Sequence, residues 1–74
     1  MSPSQFYKLD EAEQAELIWE GKHVGSRQTE EYSVLLYKIQ ELYVEVFLHK
    51  KYNVIHKFEA FIKDEIIDVY WPKN

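Results

Sequence analysis

The chain has no cysteine, one arginine, two glycines and two prolines. Without cysteine there are no disulfides and no thiolate zinc sites. With Arg27 as the sole guanidinium, bidentate reading of bases has almost no means. The net charge of −4 and pI near 5.3 lack the surplus of cations that phosphate backbones and anionic lipid surfaces attract. Nucleic acid and membrane are therefore not expected partners. No apolar run approaches 18 residues, and Met1–Lys8 carries no apolar leader, so a cytoplasmic location is expected. Gly21 and Gly25 precede no Gly-Lys-Ser/Thr, which excludes a phosphate loop. Ser2, Ser4, Ser26 and Ser33 are not set in a Gly-x-Ser-x-Gly elbow. No cofactor is expected.

What is present is ring and β-rich apolar sequence. Aromatics make up 16% of 74 residues, more than one small core requires. A chain this short buries only about 60% of its unfolded surface, so an oligomer interface would help to stabilise it. We read residues 1–74 as a single α+β domain, with 1–5 as a disordered tail.

Asp10 to Glu20 reads as a helix. Asp10 followed three residues on by Glu13 is a capping box. Ala12, Ala15, Ile18 and Trp19 fall on one stripe, flanked by Leu17, and Gly21 supplies a left-handed stop. Lys22 to Gln28 is an edge strand in which Gly25 marks a bulge or a close approach. Ser33 to Ile39, Leu42 to Lys50 and Val54 to Ile62 follow as strands, with turns at Thr29–Glu31, Gln40–Glu41 and Lys51–Asn53. Asn53 is suited to positive φ. Asp64 to Trp71 reads as a closing helix stopped by Pro72. The order is N-terminal helix, four-stranded antiparallel meander, short C-terminal helix: a two-layer sandwich with one sheet face covered by helix.

The stretch Val34 to Leu48 is the most informative. A two-residue turn at Gln40–Glu41 puts Ile39 opposite Leu42, Tyr37 opposite Val44 and Leu35 opposite Val46, all on a core side with Leu48. The other side pairs Lys38 with Tyr43, Leu36 with Glu45 and Val34 with Phe47. That second side is too apolar for a solvated surface, and Val34, Leu36, Tyr43, Glu45 and Phe47 are the candidate interface.

Chemistry has few candidates. His49 and His56 approach each other across the last hairpin, with Glu45 or Glu59 as a third metal ligand, but the spacing matches no zinc motif and no metal is expected. Glu45 opposite Glu59 is a possible acid pair, which Lys38 and Lys57 could neutralise. Arg27 is expected to pair with a glutamate of the first helix. Tyr43 and Phe47 resemble ring platforms for single strands, but Glu41 and Glu45 beside them oppose phosphate.

Leu36-Tyr37, Tyr43-Val44-Glu45-Val46, Asn53, Ile55 and Phe61, with Gly21 and Arg27 after Glu13-Gln14, resemble the pattern of a group of small uncharacterised bacterial proteins. The resemblance runs from about Phe6 to Tyr70 and departs over Ile62 to Ile67. It implies a helix–meander–helix domain without established activity, so no site residues carry over from it.

The leading expectation is a non-enzymatic interaction module, self-associating as a dimer through the apolar sheet face or an edge strand. Lys22–Gln28 and the strand carrying Lys57 and Glu59 are the available edges. The alternatives are an acidic partner of antitoxin or immunity type, and a small enzyme using Glu45 and Glu59 with His49 and His56.

Overall fold

A computed structural model of the chain describes residues 1–70, with all their side chains except those of Ile67 and Asp68. Its elements are α1 (Pro3–Tyr7), α2 (Glu11–Glu20), β1 (Lys22–Gln28), β2 (Tyr32–Ile39), β3 (Leu42–His49), β4 (Val54–Ile62) and α3 (Lys63–Tyr70). The strands form one antiparallel sheet in the order β1-β2-β3-β4. This is the α+β meander, flanked by helices, that the sequence implies. Pro72, read as the stop for the last helix, lies outside the described residues.

α2 starts where its capping chemistry places it. The Glu13 N–H donates to Asp10 Oδ1 at 2.8 Å, and the Asp10 N–H donates to Glu13 Oε1 at 3.3 Å. Of the residues expected to be a tail, 1–5, Ser2 caps α1 and Pro3, Ser4 and Gln5 form its first turn. Ser2 and Gln5 make a second capping box, and Pro3 occupies the first turn, where its missing N–H costs nothing. The gain from ordering them is Phe6, fully buried with its ring edge-on to Phe58 at 6.4 Å. Burying such a ring contributes roughly 1.5–3 kcal/mol. The Gln14 side-chain amide donates to the Phe6 carbonyl at 3.0 Å and ties α2 to α1.

The hairpin register is the expected one at every pair from Val34↔Phe47 to Ile39↔Leu42. Gln40, first in its two-residue turn, takes φ 56°. Asn53 takes φ 54°, and its N–H closes the β3–β4 turn onto the His49 carbonyl at 2.7 Å. Gly25 serves both roles suggested for it. The β1–β2 register slips between His23 and Gly25, and a Cβ on Gly25 would sit 3.0 Å from the Tyr70 ring.

Gly21 departs from expectation. Its backbone is extended (φ −77°, ψ 177°), not left-handed. Glycine is needed there for space, since a Cβ would meet the Lys38 carbonyl oxygen at 2.9 Å and Ile39 Cγ1 at 3.0 Å.

Helices cover both sheet faces, not one. Phe6 and Ile18 pack with Ile39, Leu42, Val44, Val46 and Ala60 on the core side. On the opposite side Ile66 and Tyr70 of α3 pack with Leu36, Tyr43, Val24 and Phe61. Ile66 and Tyr70 are four residues apart, so one stripe of α3 reaches the sheet. α3 thus adds a third, partial layer.

Candidate functional site

The second sheet face is closed by the chain itself. Val34, Leu36, Tyr43, Glu45 and Phe47, read from the sequence as a contact surface, are all buried. Alternation along β2 and β3 does send them to one side, as expected. Periodicity cannot report that Ile66 and Tyr70, some twenty residues further on, return to pack on Leu36 and Tyr43, or that Tyr32, Arg27 and Lys57 gather around the Phe47 ring.

A polar node lies at the centre of this face. The Glu45 carboxylate is 2% exposed. Arg27 reaches it diagonally from β1, donating from Nε at 2.8 Å and from Nη2 at 3.4 Å. The Tyr70 hydroxyl donates to the same Oε2 at 2.6 Å. A charge this deeply buried is tolerated because its oxygens are met by charge-assisted bonds. The bond to Glu45 holds the Arg27 guanidinium above its ordinary range. Burial, and then the bond to Glu45, push the Tyr70 hydroxyl well above the usual tyrosine value, so it remains a proton donor. Arg27 therefore pairs on the sheet, not with α2, because it sits on the face opposite that helix. The guanidinium also lies 5.7 Å from the Phe47 ring centroid.

This arrangement leaves little for acid–base chemistry. Glu45 does pair with Glu59 in the register, but each carboxylate has its own cation. Glu59 accepts from Lys57 Nζ at 3.1 Å, and Arg27, not Lys38, serves Glu45. Lys38 lies 5.9 Å from the Tyr43 ring centroid.

His49 and His56 do come to one place, but the Tyr32 ring stands near both, with centroids at 5.4 Å and 5.1 Å. His49 also lies 4.9 Å from the Tyr52 ring, and its buried Nδ1 has no hydrogen-bond partner among the described residues. No three His, Cys, Asp or Glu side chains converge among the described residues. No helix among them is long and apolar enough to cross a membrane.

Both sheet edges are blunted. β1 carries the bulge at Val24. β4 carries one at His56, where Phe47↔Lys57 is followed by Leu48↔Ile55. Further along β4, the Ala60 N–H donates to Tyr7 Oη at 2.8 Å and the Ile62 N–H to Glu65 Oε1 at 3.0 Å. Bulges and occupied N–H groups are the means by which edge strands avoid pairing with other chains.

The open apolar surface lies elsewhere, on the core side between α2 and the start of β4. A recess of about 140 Å³ is lined by Ala15, Ile18, Trp19, Leu35, Tyr37, Val46, Leu48, Ile55 and Phe58. Trp19, expected on the buried stripe of α2, stands at its rim and is 83% exposed. Of the apolar residues of α2, Ile18 alone is buried in the core. A wider depression of about 620 Å³ at the Gln40–Glu41 end mixes Lys38 and Lys63 with Glu41 and Asp64. Met1, Tyr43 and Ile62 give it apolar lining, but its charges are of both signs and select no one class of ligand.

Comparison with protein-family models, with curated proteins and with solved structures gave no match. The functional reading is carried by the geometry of the site.

Proposed function

We propose that this chain is a non-catalytic interaction module that takes an apolar side chain of another protein surface into the recess between α2 and β4. The observation that carries the reading is Trp19, 83% exposed on the rim of an apolar recess. Size decides the class of occupant. Drug-sized ligands and cofactors fill about 300–1,000 Å³, whereas an apolar cavity of about 150 Å³ accepts a benzene ring. The recess, at about 140 Å³, matches one side chain.

Two other contacts expected from the sequence lose their support. The second sheet face is buried, with Leu36 and Tyr43 packed against α3, and the strand edges are bulged and partly capped. An exposed indole beside apolar walls is the composition that anchors protein–protein contacts, with Trp foremost among such anchors.

The test is titration of the intact chain with indole, followed by methyl and aromatic NMR. Shifts at millimolar indole should concentrate on Leu35, Leu48, Ile55 and Phe58, and Ile55→Glu should abolish them. Scattered shifts, or none, would remove the reading.

A further inference from the structure

We infer that the occupant of the recess is Trp19 of a second copy, in a two-fold contact where each copy's indole fills the other's recess. The inference rests on the reading of the recess as a side-chain site and adds the identity of the partner. An isologous contact needs one surface that carries both halves of the fit. Here the projecting ring and the hollow share a border, since Trp19 is itself one of the lining residues.

The area is that of a real but weak dimer. A Trp side chain presents about 150–250 Å², and this one is 83% exposed. Ile55 is 51% exposed, and Leu35, Tyr37, Leu48 and Phe58 are half-buried around it. Together they offer on the order of 500 Å² per copy, or about 1,000 Å² for the pair, at the lower bound for a specific interface.

The experiment is sedimentation equilibrium on the intact chain from about 5 to 500 µM, a range set for weak dimers of this area. It is run on the wild type, Trp19→Ala, Ile55→Glu and Val54→Glu. Val54 is 55% exposed and pairs with His49, on the other side of the sheet from Ile55. Its substitution therefore controls for added charge on the same strand. The wild type should show a monomer–dimer equilibrium. Trp19→Ala and Ile55→Glu should each weaken it at least about 30-fold, the scale of an interface anchor, while Val54→Glu should leave it within about twofold, as for a group outside the contact. Wild-type chain that stays monomeric to the highest concentration would overturn the inference, as would a dimer that Trp19→Ala leaves intact or that Val54→Glu disrupts equally. If indole still binds while the chain stays monomeric, the second copy falls as partner and the side-chain site stands. If neither is seen, both fall.

Discussion

Replacing Arg27 with Met should destabilise this protein more than removing the charge it serves. The Glu45 carboxylate is 2% exposed, whereas the Arg27 side chain is 36% exposed. The two halves of the pair therefore stand in different solvents. Met keeps much of the aliphatic stem but leaves a buried carboxylate that, of its two donors among the described residues, retains the Tyr70 hydroxyl. Breaking a buried pair from one side costs about 3–5 kcal/mol, and the partial exposure of Arg27 places the expectation near the lower end, about 3 kcal/mol. Glu45→Gln removes the charge, keeps an acceptor for Tyr70, and lets the guanidinium turn to water. That change should cost about 1–2 kcal/mol. Against a total of about 4–11 kcal/mol for 74 residues at 0.05–0.15 each, the difference is readable. Urea unfolding followed by circular dichroism, with equal m-values, gives the comparison. The double variant Arg27→Met, Glu45→Leu removes both charges and should be more stable than Arg27→Met alone. Equal costs for the two single changes, or a double variant no more stable than Arg27→Met, would refute the argument from unequal burial.

Tyr70→Phe should lose about 1–2 kcal/mol at neutral pH, because a hydrogen bond to a charged group goes with it. The Tyr70 hydroxyl keeps its proton in the folded chain at pH values where the unfolded chain releases it, near 10. The wild-type advantage is therefore complete below pH 10 and lost as the pH rises above it. A gap between the two proteins that stays constant to pH 11.5 would contradict this. Gly21→Ala should cost about 1–3 kcal/mol, since its Cβ meets a backbone carbonyl that cannot swing aside. Gly25→Ala should cost less but raise amide exchange across α3, because the atom in its way is a movable ring of Tyr70. Gln40→Gly should raise stability by about 0.5–1 kcal/mol, as glycine adopts φ 56° without a steric penalty.

The parts legible in the sequence are those governed by neighbours. Period-two alternation from Val34 to Leu48 gave the hairpin register, and Asp10 with Glu13 gave the start of α2. A local signal was also present and unread at Ser2-Pro3-Ser4-Gln5, which carries both a capping box and a first-turn proline. The misplacements concern contacts distant along the chain. Gly21 looks like a helix stop, but its constraint comes from Lys38 and Ile39 on β2. Leu36 and Tyr43 look exposed until Ile66 and Tyr70 fold back. Trp19 looks buried, because a stripe of apolar residues on a helix does not say how wide a strip of sheet lies beneath it. The recess follows from that width, and only the assembled layers define it.

The placement of α3 has a consequence for how the fold opens. α1 and α2 close the core side without it, whereas Leu36 and Tyr43 on the other side are packed against its Ile66. Detachment of α3 therefore bares part of the apolar second face while the meander and the Arg27–Glu45 pair can stay in place, short of the third member of the node. A form opened in this way would meet its neighbours with exposed apolar sheet, the kind of surface through which partly folded chains aggregate.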